Sequence, residues 1–311
     1  MANDHFVPRF YLCNFSIPSK PGFVYSYMRN RKPIPRPITR IASADNFYTV
    51  RWDSNPRLEP DSLDRVYGLS ETHTAQVINN LLSIDEFKLP GAEMEWLTWF
   101  IALLAGRTPL MRERYKNLSI ALRKRDIKAL ASNEEEFNKF ARELDPDIDP
   151  EKLEERRQII VNFDENLLMK FGDDGETDYN IKGFGMALAT TLKELLARRR
   201  WHLLESTSVR NFVTSDNPVV LLPPPGAHTG FGWGFHNSPV LIPISPRRAL
   251  LIHDHIRSGG IIKVGGEKMI EYNFYIVTQA YKAVYASEPS NEAQETFDKT
   301  VEESLSEVYV E

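Results

Sequence analysis

Cysteine is nearly absent from this chain. The single thiol, Cys13, cannot form a disulfide within the chain, and a cysteine-rich metal site has no ligands to build from. The seven histidines contain no HxxxH or HExxH pair, so the helical zinc-hydrolase pattern is missing too. Phosphate-cradling and nucleophile motifs are equally lacking: there is no GxxxxGK[ST], no GxGxxG opening a helix and no GxSxG elbow. The formal net charge of −5 excludes a protein-wide basic field for nucleic acid, while leaving room for a local basic groove. No apolar run is long. Trp96 to Ala105 covers about half of the ~20 residues that span a bilayer, so a buried helix and no membrane association are expected. MANDHFVPRFYLCNF lacks a basic segment followed by an apolar core, and a cytoplasmic location is expected.

What is present is a globular composition, 42% hydrophobic and 26% charged, over 311 residues, enough for one substantial core. Pro8 disfavours a regular helix through its position, but Tyr11, Leu12 and Phe15 predict a short helical turn after it that presses on the core. Leu12 and Phe15 also suggest that Cys13 is buried rather than a reactive nucleophile. Gly22 to Tyr27 reads as a strand and the basic, proline-rich Arg29 to Arg40 as an extended loop. Ser62 to Leu82 predicts an amphipathic helix, or two with a break near Gly68. Ala92 to Leu104 is apolar nearly all round, the mark of a central helix. Pro109 should interrupt it, leaving Arg107 at the end of a buried helix, an unusual place for a charge unless it is paired.

Leu110 to Ala131 continues as a helix with a basic face that includes Arg112, Arg114, Lys116, Arg123, Lys124, Arg125 and Lys128. Asn133 to Glu155 then turns acidic and reads as a surface excursion folding back on that helix. Asp145, Asp147 and Asp149 resemble the start of a calcium loop, but the loop's glycine and final glutamate are missing, and a plain turn is expected. Glu151 to Phe171 and Asp178 to Arg199 predict two further helices. Short β-type runs follow at Trp201 to Leu204, Asn211 to Thr214, Val219 to Leu222, Pro239 to Ile244, Ala249 to Ile252 and Ile261 to Val264. Gly226 to Asn237, with Phe231, Trp233 and Phe235, reads as a loop of the kind that acts as a lid. A helix over Glu267 to Tyr281, a strand at Ala283 to Ala286 and a helix over Asn291 to Val308 complete the chain. Segregated helices and strands argue an α+β fold. The helical middle should pack on a mainly antiparallel sheet made by the C-terminal part plus an N-terminal strand, as one domain over 1–311.

Thr214-Ser215-Asp216-Asn217-Pro218 places polar side chains at a strand end, where binding and catalytic groups are often found. The structural alternative is a turn in which the Asp216 carboxylate bonds backbone amides. The chain resembles the DUF4238 family, a mostly bacterial group, in several blocks spread over nearly its whole length. They are His5-Phe6-Val7-Pro8-Arg9-Phe10-Tyr11-Leu12-Cys13-Asn14-Phe15, Phe100-Ile101-Ala102 to Arg107-Thr108-Pro109, Phe212 to Val219, Pro243 to Pro246, and a helix carrying Asn273. The resemblance implies that His5, Arg107 and Asp216 belong together. Brought together with Glu71, they would supply a group titrating near neutrality, a fixed cation and carboxylates, suited to phosphodiester cleavage. A divalent metal at Asp216, substrate contacts from Thr214, Ser215, Arg112 and Trp233, and a nucleic-acid partner along the basic helix and the Arg29 to Arg40 loop belong to that reading. The competing reading is a non-enzymatic protein that binds a small ligand or peptide in a pocket lined by Phe231, Trp233 and Phe235.

Overall fold

Pro8 sets the start of the first helix. In the computed structural model, which describes residues 3–50, 59, 61–161, 175–224, 238–253 and 260–299, α1 (Arg9–Cys13) is a single turn. It drives Tyr11, Leu12 and, just past its end, Phe15 into the core. Cys13 falls on the opposite side and is exposed, which corrects the buried thiol expected from its neighbours. On one helical turn, the residue after two inward-facing ones points away.

β1 (Asn3–His5) pairs antiparallel with β4 (Ser43–Asp45), putting His5 opposite Ser43. Between them, β2 (Phe23–Met28) and β3 (Arg31–Pro37) form a hairpin, so the basic, proline-rich stretch is a strand rather than a loop. The prolines fit because of their spacing. Ile38 N–H donates to the Gly22 carbonyl at 2.9 Å, so with a period of two Arg36 and Ile34 also face β2. The nitrogens of Pro35 and Pro37 then face outward, where β3 is the edge of its sheet and no donor is needed.

The helical middle consists of α2 (Ser62–Leu81), α3 (Gly91–Gly106), α4 (Pro109–Ser132), α5 (Glu134–Leu144), α6 (Pro150–Val161) and α7 (Gly175–Ala197). α2 runs through Gly68 without a break. α3 is buried along its second half and packs on α2 and α7. The acidic stretch forms α5 and the start of α6, which return to α4 around Ala131, Phe137 and Leu153. The helix expected as far as Phe171 is seen to Val161, and its remainder lies outside the described residues.

Two main sheets divide the strands. β5 (Arg200–Ser206), β7 (Val220–Leu221), β8 (Val240–Pro243), β9 (Arg248–His253) and β10 (Gly260–Val264) form one in the order β10-β5-β9-β8-β7, antiparallel except for β10 with β5. β6 (Thr214–Ser215) and β11 (Val284–Ala286) join the first hairpin in an antiparallel sheet ordered β3-β2-β11-β6. The fold is α+β, with the mainly antiparallel pairing expected. The five-stranded sheet is buried on both faces. Leu203, Ile242, Leu250 and Ile252 meet the core shared with α2, α3 and α7. Leu204, Leu241, Ala249 and Leu251 meet a second core with α8 (Gly266–Thr278) and α9 (Asn291–Lys299). That is why these strands read as continuous apolar runs instead of alternating ones. Arg248 ties the sheet to α2, donating to the Leu81 and Ile84 carbonyls while pairing with Glu205. The end of the last expected helix, beyond Lys299, lies outside the described residues.

Candidate functional site

Arg107 is placed by a helix that stops and restarts. Its own backbone closes α3, with N–H donating to Leu103, and Thr108 caps α4 by accepting from Met111 N while Pro109 opens that helix. The side chain is 2% exposed. Nε donates to the Phe6 carbonyl at 3.1 Å and Nη1 pairs with Glu71 Oε1 at 2.8 Å. Nη2 is buried and has no hydrogen-bond partner among the described residues. Burial opposes the charge, but the oxygens of Tyr48, Glu71 and Tyr67 outweigh it, and the pKa lies above the ordinary arginine value. Arg107 is a permanent cation.

Aromatic rings wall this guanidinium. It lies 4.8 Å from the Tyr67 ring centre and 5.8 Å from that of Tyr48, and the two rings are 4.5 Å apart. Tyr67 and Glu71 are one turn apart on α2, so they share a face. Tyr48 comes from the irregular stretch after β4. Ala42 and Asn46, with φ of 48° and 54°, both adopt left-handed conformations that bend the chain on either side of β4. Side chains from three elements then tether the stretch. Tyr48 N donates to Asp4 Oδ2 at 2.9 Å and Tyr48 hydroxyl to the His5 carbonyl at 2.8 Å. Arg112 lies 3.3 Å over the Phe47 ring and donates to the Phe47 carbonyl, and Lys182 from α7 donates to the Thr49 carbonyl. Burial raises the Tyr48 and Tyr67 pKa values, so both phenols are neutral.

His5 is half-buried, its Nε2 3.3 Å from the Ile38 carbonyl. A carbonyl only accepts, so that nitrogen carries the proton. Burial lowers the His5 pKa, with the Ile38 hydrogen bond opposing. His5, Glu71, Arg107 and Arg112 thus converge on one cluster.

Asp216 stands apart from it. The Thr214 to Pro218 stretch is where the chain leaves β6 in the four-stranded sheet for β7 in the five-stranded one. Asp216 is buried, Oδ1 accepting from Tyr281 N at 2.8 Å and Oδ2 from Lys282 N at 2.7 Å and Ala283 N at 3.0 Å. Burial raises its pKa to about 6 against the pull of these amides. Asn217 bonds the Gln279 carbonyl and Thr108, and Gln279 clasps both backbone groups of Leu221. Thr214 meets the buried Tyr11 hydroxyl at 2.9 Å, and Ser215 accepts from Asn217 N. The motif is a polar junction joining two sheets and the turn after α8. Its nearest described link to Arg107 is the adjacent Thr108.

Both Asp216 carboxylate oxygens already accept from backbone amides, which disfavours the divalent metal considered there. Among the described residues no group of three or more His, Cys, Asp or Glu side chains is arranged to hold a metal. Trp233, with Phe231 and Phe235, lies outside the described residues. The basic stretches are partly committed to internal contacts: Arg29 bonds the Tyr281 carbonyl and covers Phe297, and Arg125 pairs with Asp126. No helix among the described residues is long and apolar enough to cross a membrane.

Sequence reasoning missed Tyr48, Tyr67 and Lys182. For Tyr67 a signal existed, its four-residue spacing from Glu71. Tyr48 and Lys182 have none, since nothing local in the sequence joins residues 48, 107 and 182. A family model described as a protein of unknown function (DUF4238) matches residues 3–290. No curated protein and no solved structure matches the chain.

Proposed function

The chain belongs to the DUF4238 family, and from the cluster its residues build we propose that the protein binds a small ligand bearing an oxyanion at Arg107. The observation that carries this reading is Arg107 Nη2, a buried charged donor with no partner among the described residues. Leaving such a donor unsatisfied costs on the order of 1–3 kcal/mol or more. An oxyanion recovers that cost, because the planar guanidinium matches carboxylate and phosphate geometry. The Phe6 carbonyl and the tyrosine rings hold the fork in place, so little ordering remains when the ligand arrives. Glu71, its side chain 27% exposed, connects the buried guanidinium to the surface.

Phosphodiester hydrolysis is the second reading. His5 and Glu71 beside a fixed cation favour it. Two features put it behind binding. The proton-bearing Nε2 of His5 is directed at a main-chain carbonyl, and Asp216, which would orient that ring, is committed to the backbone of residues 281–283.

The test is calorimetric titration of the full chain with inorganic phosphate, beside Arg107→Lys, which keeps the charge and loses the fork. We expect measurable phosphate binding by the native protein and affinity at least about tenfold weaker in the variant. Absence of both heat and thermal stabilisation at about 10 mM phosphate overturns the binding reading. Release of product from a phosphodiester, abolished by His5→Ala in a folded variant, moves hydrolysis to first place.

A further inference from the structure

The partners already on Arg107 constrain what its ligand looks like. A guanidinium presents five N–H groups in one plane. Nε is held by the Phe6 carbonyl, which fixes the rotation of the fork. Nη1 is held by Glu71, and Nη2 has no hydrogen-bond partner among the described residues. Nη1 and Nη2 share one edge of the fork, and an oxygen bound by Nη2 along that edge arrives next to the Glu71 carboxylate, itself 2.8 Å from Nη1. An ionised carboxylate is acceptor-only. Two acceptor oxygens side by side repel each other unless a proton lies between them.

Several donors around the pair are directed at main-chain carbonyls. The Tyr48 hydroxyl donates to the His5 carbonyl, and Arg112 and Lys182 reach the Phe47 and Thr49 carbonyls. Asp4 accepts from Tyr48 N, and Asp64, one further turn back on the same α2 face, brings another acceptor, its pKa raised by burial and by Asp4. A donor carried by the ligand itself would lie where that proton is needed.

We infer that Glu71 is a specificity-determining residue, and that the ligand is an oxyanion carrying its own hydrogen-bond donor beside the charge: a protonated phosphate or phosphate monoester. This rests on the anion-binding reading above. Arg107 takes an unprotonated oxygen of the phosphate through Nη2, and the P–O–H of the same group donates to Glu71. A fully deprotonated oxyanion of the same shape has nothing to offer Glu71 and is rejected, as sites that hydrogen-bond a substrate hydroxyl reject analogues lacking it.

Sulfate is the discriminating probe, since it matches phosphate in shape and carries no proton near neutrality. The experiment is calorimetric titration of the full chain with inorganic phosphate and with sulfate at a pH of about 6, where phosphate keeps a proton, for the native protein and Glu71→Gln. The native protein is expected to bind phosphate at least about tenfold more tightly than sulfate. In Glu71→Gln the amide N–H can donate to sulfate, and the ratio should fall to about one. Equal affinity of the native protein for both anions, or a preference that persists in the variant, overturns the role of Glu71 while leaving anion binding intact. Binding of neither anion by the native protein removes the anion-binding reading itself, and this inference with it.

Discussion

His202 shows how much one buried side chain can be asked to tolerate. It is fully buried on β5, and neither ring nitrogen has a hydrogen-bond partner among the described residues. Burial, with Arg200 on the same strand adding to it, lowers its pKa below 6.5. The folded state therefore keeps His202 neutral where the unfolded chain takes up a proton. Its contribution to stability is present above pH 6.5 and is lost as the pH falls through 6.5 toward the folded pKa. His5 shifts the same way, and Asp216, raised to about 6, has the opposite slope, so the clean measurement is a difference. The urea midpoint of His202→Leu minus that of the native protein should stay flat above pH 6.5 and rise in favour of the variant below it. A difference that does not change with pH would show that His202 is not held neutral.

Among the elements, α3 and α7 meet backbone to backbone. A methyl group at Gly106 would lie 2.5 Å from the Gly185 carbonyl oxygen, and one at Gly185 would lie 2.8 Å from that of Gly106. Only glycine lets the helices approach this closely, and the approach holds the end of α3, with Arg107 next to it, against α7. Gly106→Ala should destabilise by about 2–3 kcal/mol or more, because both obstructing atoms are backbone. Gly68, inside α2 with open space around it, is the control: Gly68→Ala should add about 0.5–1 kcal/mol. Urea denaturation of the two variants checks both, and equal effects would show that the helices can move apart freely. The helices themselves are legible in the sequence, since α2 and α3 carry periodic or all-round apolar patterns. The β3 edge strand is not, because prolines in a strand signal a loop unless one knows that the strand has no outer neighbour.

Over the whole molecule, stability should be uneven. Among the described residues, α5 and α6 rest on α4 around a small cluster in which Ala131, Phe137 and Leu153 are buried, while α3 and β9 lie in the large cores. Backbone amides of α5 and α6 should exchange hydrogen well before those of α3 and β9, since little apolar surface holds the pair in place. Protection equal to that of β9 would show that the acidic stretch opens only with the rest of the fold. The sequence by itself determined the α+β class, the interruption at Arg107-Thr108-Pro109 and most of the elements, because helix periodicity, capping and strand composition are local. It also marked His5, Glu71, Arg107 and Asp216, but could not sort them. Only the tertiary structure separated Asp216, fastened to the backbone of residues 281–283, from Arg107, whose buried Nη2 has no partner among the described residues. The physical reason is range. Whether a polar group is satisfied depends on atoms about a hundred residues away or on another sheet, and those neighbours exist only once the chain has folded.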